Sequence, residues 1–74
     1  MTTMSGRVWI AAFAQRLGLD PPDSETTEAL LALAGSAAHA SERVAAPIAC
    51  YLVGRAGISI DAATRAAAAI EAEQ

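Results

Sequence analysis

The sequence predicts an all-α protein, a compact bundle of four short helices that forms a single domain over residues 1–74. Alanine, the best helix former, supplies 20 of the 74 residues. β-branched residues are few, and no stretch alternates apolar and polar side chains as a half-buried strand would. A chain of this length has room for one domain and not for two.

The first helix is expected from about Ser5 to Leu17. Its large apolar side chains share one side, as in an amphipathic helix that faces a core; they are Trp9, Ile10, Phe13 and Leu17. Gly18 then supplies the left-handed residue that commonly ends a helix, and Leu19 supplies the hydrophobic residue that follows it. Residues 20–23 contain two consecutive prolines and predict a stiff connection, since proline lacks an N–H and restricts the residue before it.

The second helix is expected to start at Asp23 or Ser24, because either side chain can accept the free N–H groups of a first turn. We expect it to end between residues 41 and 46, since Pro47 interrupts the pattern and fits the first turn of a third helix. Gly35 costs about 1 kcal/mol relative to alanine inside a helix, which suggests a close backbone contact there. The inward face is predicted to consist of Leu30, Leu33, Ala34, Ala37 and Ser41.

The third helix is predicted to end near Ala56, with Gly57 as its left-handed cap. Residues 44–54 carry no charge and are apolar on every side, which is typical of a central, buried helix. Ser59 is the expected N-cap of a fourth helix. The apolar side of that helix consists of Ile60, Ala63, Ala66, Ala67 and Ile70. One core is expected from all four helices, formed by Trp9, Phe13, Leu17, Leu30, Leu33, Ile48, Leu52 and Ile70.

The composition argues against several classes of function. The net charge is −3, lysine is absent and five arginines are scattered, so the basic surface typical of nucleic-acid binding is missing. One histidine and one cysteine are too few ligands for a structural metal site, and we expect no cofactor. Cys50 is expected to be a small buried hydrophobe, and Tyr51 a core residue whose hydroxyl reaches a backbone partner.

Cysteine usage and hydropathy together predict a cytoplasmic protein. A single cysteine cannot form an intramolecular disulfide, and the longest uncharged stretches, 29–41 and 44–54, are shorter than the ~20 residues of a membrane span. Arg7 and the apolar run 8–14 imitate a signal peptide. That run is at the lower limit of length, and cleavage would remove the only Trp and the only Phe. We therefore interpret it as part of the first helix.

The chain has one polar cluster that could form a site: His39, Glu42 and Arg43. His39 and Arg43 are expected one turn apart on the outward side of the second helix, with Glu42 within reach of His39. Three interpretations stay open. The cluster is a solvated helix end, where cationic groups suit the carbonyl terminus, or a docking patch for a protein partner, or a proton-handling site. No catalytic residue is assigned.

One stretch combines a histidine, an arginine and an Ala-Ala-Pro step: residues 30–54, LLALAGSAAHASERVAAPIACYLVG. Near the start, Trp9 and Leu17-Gly18-Leu19 match the pattern W-x-x-x-L-x-x-x-L-G-L, with Ala12 at a variable position and Phe13 in place of the first Leu. Together these features resemble a small actinobacterial helical domain of unknown function. That family occurs alone or fused C-terminal to molybdenum cofactor guanylyltransferase, the enzyme that joins GMP to molybdopterin. His39, Arg43 and Pro47 match motif positions of the family, which has no known catalytic residue.

The resemblance implies an accessory module for maturation or delivery of the molybdenum cofactor, molybdopterin-guanine dinucleotide. It would dock on a guanylyltransferase or on a cofactor-dependent oxidoreductase, and the nucleotidyltransferase activity would belong to that neighbour. The alternative is a self-assembling homodimer whose alanine faces pack together. A small enzyme is a third hypothesis, against which the scarcity of His, Cys, Lys and paired carboxylates argues. We thus expect a protein partner or a second copy, and neither nucleic acid nor membrane.

Overall fold

The computed structural model describes residues 4–73, and within that range it contains four α-helices and no strand. Helix α1 spans Gly6–Arg16, α2 spans Ser24–Ala40, α3 spans Ala45–Ala56 and α4 spans Ile60–Ala72. The predicted all-α fold of four short helices is confirmed, and the predicted helix ends lie close to the observed ones. No helix of the described range combines the length and the hydropathy needed to cross a membrane.

Three of the four helices begin at a polar side chain that accepts a hydrogen bond from the first turn. The bonds run from Val8 N to Ser5 Oγ at 3.2 Å, from Thr26 N to Asp23 Oδ1 at 2.7 Å and from Ala62 N to Ser59 Oγ at 3.1 Å. Each bond satisfies an N–H group that has no acceptor inside the helix. Asp23 and Ser59 are therefore the N-caps, as the sequence predicts.

Two glycines end helices in the left-handed conformation. Gly18 has φ 74°, and its N–H donates to the carbonyl of Gln15 while that of Leu19 donates to Ala14 at 2.9 Å. This pair of bonds is the Schellman motif, which satisfies the last carbonyls of α1. Gly57 has φ 70° and its N–H donates to the carbonyl of Val53 at 3.1 Å. Both glycine caps are confirmed.

Helices α2 and α3 are separated by the short connection 41–44. Ser41 turns its hydroxyl back to donate to the carbonyl of Ala37 at 2.9 Å. Pro47 is the third residue of α3, where a missing N–H does little harm because the first N–H groups of a helix have no acceptor within it. The predicted break before Pro47 is confirmed.

The central helix is α2, which packs against both α3 and α4, whereas α1 makes few contacts with the other helices. The buried apolar residues of the described range are Ala14, Leu33 and Ala63. Helix α3 contains no buried residue, so the prediction that it is the central, buried helix is wrong. Its residues are half-buried or exposed.

The predicted core of eight residues is correct for Leu33, which is buried, and Leu30 is half-buried. The other six are largely exposed: Trp9, Phe13, Leu17, Ile48, Leu52 and Ile70. Trp9 and Phe13 belong to α1 and Leu17 is its C-cap, and α1 makes few contacts with the other helices. The remaining three lie on α3 and α4, where the facing residues are mostly alanines that are too small to cover them.

Gly35 has open space around it, because a Cβ atom at this position would meet no atom within 4 Å. The close backbone contact suggested by the sequence is therefore absent at this residue. Nothing in the packing of α2 requires glycine there.

Candidate functional site

An open apolar groove of about 500 Å³ lies between α2, α3 and α4. Its larger apolar side chains are Leu33, Ile48, Leu52, Val53, Ile58 and Ile70, and its polar ones are Ser36, Ser41 and Glu71. Glu71 is the one ionisable side chain that lines it within the described range. A concave apolar surface with few polar groups is typical of a binding site.

Small side chains keep this groove open. The three helices contribute eight alanines to its lining: Ala37, Ala40, Ala45, Ala49, Ala56, Ala63, Ala66 and Ala67. A methyl group cannot fill the space between two helix axes, so side chains such as Leu52, 56 % exposed, stay in contact with solvent. The apolar side of α4 predicted from the sequence does face this space, since Ala63, Ala66, Ala67 and Ile70 all line it.

Helix α1 carries a second apolar surface. The rings of Trp9 and Phe13 stack with their centroids 4.9 Å apart and their planes at 22°. The two side chains are 54 % and 48 % exposed. Ala12 and Arg16 complete a shallow depression beside the rings. Aromatic side chains with this much exposed apolar area are typical anchors of protein–protein interfaces.

The polar cluster His39, Glu42 and Arg43 lies at the connection between α2 and α3, and all three residues are exposed. His39 is in the last turn of α2, where a cationic group suits the negative end of the helix dipole. Arg43 lies beyond the end of α2, in the turn before α3. The prediction that His39 and Arg43 lie one helical turn apart is therefore wrong, because α2 ends at Ala40.

Backbone bonds fix Glu42 and Arg43 in the connection between α2 and α3. The carbonyl of Glu42 accepts from Ala45 N at 2.9 Å and that of Arg43 from Ala46 N at 3.2 Å. These bonds form the turn that starts α3. None of the side-chain hydrogen bonds found in residues 4–73 involves the cluster. Its three polar side chains therefore remain accessible to a partner.

Two further side chains that the sequence placed in the core, Cys50 and Tyr51, lie on α3. Cys50 is a free, half-buried thiol. Tyr51 is exposed, so its prediction as a core residue is wrong. Among residues 4–73 no three His, Cys, Asp or Glu side chains come together in a way that could hold a metal ion. The geometry favours binding of an apolar surface.

Comparison with known sequences places the chain in a family. The sequence profile of a domain of unknown function, DUF6457, matches residues 2–74. The chain belongs to the DUF6457 family. The resemblance to a small domain of unknown function, inferred from the sequence, is thereby confirmed. No curated protein and no solved structure matches the chain at a significant level.

Sequence reasoning missed the groove of this DUF6457 domain. It assigned Ile48, Leu52 and Ile70 to a closed core, whereas the structure places all three on the groove lining. One signal could have revealed the groove. The helix faces opposite these residues consist mostly of alanine. Alanine side chains are too short to cover Ile48, Leu52 and Ile70.

Proposed function

We propose that this DUF6457 domain is a non-catalytic, cytoplasmic protein-interaction module that assists maturation or delivery of the molybdenum cofactor. The observation that supports an interaction role is the amount of apolar surface left open. Large apolar side chains are exposed on all four helices, and a groove of about 500 Å³ is lined almost entirely by them and by alanine. Surfaces of this kind mark interaction sites on small proteins.

The cofactor role is supported by the sequence resemblance alone. Residues 30–54 and the Trp9 region resemble a domain that is found beside molybdenum cofactor guanylyltransferase. A small helical domain beside an enzyme would suit a docking or delivery task. The partner proposed here is therefore the guanylyltransferase, and the transfer of GMP is that enzyme's reaction.

The residues proposed to contact this partner are His39, Glu42 and Arg43. Their side chains are exposed at the end of α2 and in the connection that follows it, and the neighbouring residues Ser41 and Ala45 line the groove. Polar groups beside an apolar area resemble the rim of a protein–protein interface, where charged groups steer the encounter and fix the orientation of the partner.

The test is binding to purified guanylyltransferase, measured by titration calorimetry. The double variant His39→Ala and Arg43→Ala should keep its unfolding free energy within about 0.5 kcal/mol, since both residues are exposed. Its affinity for the enzyme should fall by about fivefold or more, because interface residues of this kind contribute 1 kcal/mol or more. Arg65→Ala, which removes an exposed arginine of α4, is the matched control and should bind like the unmodified chain.

Two results would contradict the proposal. The first is an absence of binding between the unmodified chain and the guanylyltransferase. The second is an unchanged affinity of the double variant, which would leave His39 and Arg43 as a solvated helix end.

A further inference from the structure

We propose that the groove between α2, α3 and α4 binds helix α1 of a second copy of this chain, so that two copies exchange their α1 helices in a symmetric dimer. This inference goes beyond the proposed cofactor role, which assigns the contacts with the guanylyltransferase to residues 39–43, whereas here the groove itself is occupied by a second copy. Four observations support it: the exposed area, the dimensions of α1 and the groove, their opposite charges, and the connection that holds α1 away from its own groove.

The exposed area is too large for a monomer of this size. The chain exposes 6031 Å², whereas a folded monomer of 7.5 kDa exposes about 4,200 Å². The excess is thus about 1,800 Å² per chain. A stable interface needs about 800 Å² from each partner, and obligate dimers bury more. The excess area of one chain therefore suffices for a stable dimer.

Helix α1 and the groove match in length and in chemistry. The 11 residues of α1 extend over about 16 Å. The 12 residues of α3 extend over about 18 Å, and its first and last residues, Ala45 and Ala56, both line the groove. Trp9, Phe13 and Leu17 are spaced by four residues, which is the spacing by which an amphipathic helix inserts its anchors into an apolar groove. All three side chains are about half exposed in a single copy.

The charges of the two surfaces are opposite. Helix α1 carries Arg7 and Arg16 and no acidic residue, which gives it a charge of +2. All eight acidic residues follow position 19, together with three arginines, so the rest of the chain carries 3 − 8 = −5. Opposite charges favour the approach of α1 to the remainder of a neighbouring copy, and Glu71 is the acidic group at the groove itself.

The connection between α1 and α2 explains why a second copy supplies the helix. The Schellman motif at Gly18 fixes the direction in which the chain leaves α1. Pro21 and Pro22 then stiffen the segment up to the cap at Asp23. As a result α1 lies apart from its own groove. A two-fold axis lets each copy use both surfaces at once, as an isologous interface requires.

The first test combines sedimentation equilibrium with the fluorescence of Trp9, the only tryptophan of the chain. The dimer is expected at micromolar concentration, with blue-shifted Trp9 emission that shifts to the red as dilution separates the copies. A monomer with solvent-like emission at every concentration would overturn the proposal. A monomer with blue-shifted, concentration-independent emission would also overturn it, because α1 would then occupy its own groove.

The second test uses complementary variants, Phe13→Glu on α1 and Leu52→Glu in the groove. Each alone should weaken self-association by about 30-fold or more, as loss of an interface anchor does. Leu31→Glu, at an exposed residue of α2 that does not line the groove, is the control and should dimerise normally. A mixture of the two variants should form a one-to-one complex, because one intact helix still meets one intact groove.

Either variant could be unfolded on its own. In that case mixing Phe13→Glu with Leu52→Glu should restore the helix content, which circular dichroism measures. The proposal is overturned if the mixture neither associates nor regains helix content, or if Phe13→Glu dimerises like the unmodified chain. Neither test contains guanylyltransferase, so failure here is distinct from failure of the cofactor role.

Discussion

Leu33 is the largest side chain that the described helices enclose, with 4 % of its surface exposed. Leu31, two residues earlier on α2, is 64 % exposed. The same substitution should therefore have different effects at these positions. Leu33→Ala should lower the free energy of unfolding by about 2 to 5 kcal/mol because it removes buried methyl groups and leaves a cavity. Leu31→Ala should change it by less than about 0.5 kcal/mol. Urea unfolding followed by circular dichroism measures both, and equal losses would contradict the placement of Leu33.

The glycines at 35 and 57 provide a second comparison at the residue scale. A Cβ at Gly35 meets nothing within 4 Å, so Gly35→Ala should stabilise the chain by about 1 kcal/mol through helix propensity. Gly57 has φ 70°, and Gly57→Ala should destabilise it by about 1 to 2 kcal/mol because an L side chain is strained there. Thermal unfolding of both variants provides the measurement. A loss of stability in Gly35→Ala at high concentration would show that another chain covers this part of α2.

At the scale of the helices, the ends could be predicted because their determinants are local. Ser59, Gly18 and Gly57 act on backbone groups within five residues, so their chemistry can be inferred from adjacent positions. The polar cluster could not be placed in the same way. Its predicted geometry required α2 to continue to Arg43, but the helix ends at Ala40 and Ser41 leaves the helical conformation, with φ −143° and ψ −96°.

The cap of α2 makes part of its stability dependent on pH. Hydrogen bonds from Thr26 hold the pKa of the Asp23 carboxyl below its usual value. The larger effect comes from the backbone N–H of Thr26 and the smaller one from its side chain. The folded pKa is thus lower than the unfolded one, so the contribution of Asp23 to stability is present above about pH 3.9 and is lost as the pH falls through the folded pKa. We expect the helix content to decrease in that window.

Asn caps helices as well as Asp but does not titrate, so Asp23→Asn should remove this part of the pH dependence. Asp20→Asn, which removes a carboxylate from the same connection without touching the cap, should retain it. Circular dichroism at constant denaturant concentration, followed as the pH is lowered below about 4, compares the variants. An Asp23→Asn profile that coincides with the unmodified one would contradict the assignment.

For the whole molecule, the sequence predicted the fold class but not the packing. The spacing of apolar residues such as Trp9, Ile48 and Leu52 shows which helix faces are apolar. It does not show whether the same chain or another one covers those faces. In an alanine-rich chain, whether an apolar face is covered depends on a few long side chains and on the distances between neighbouring helices. Those distances are not local properties of the sequence. The groove therefore became visible only once the helices were placed.

The central claim is that a single copy leaves its apolar surface incomplete and that association completes it. The most direct measurement is the thermal unfolding midpoint of the chain over a wide range of protein concentrations. Because unfolding is coupled to dissociation of the dimer, the midpoint should rise with concentration, and Phe13→Glu should unfold at a lower, concentration-independent temperature. A high midpoint that is the same at all concentrations of the unmodified chain would contradict the claim, because a single copy would then be stable without a partner.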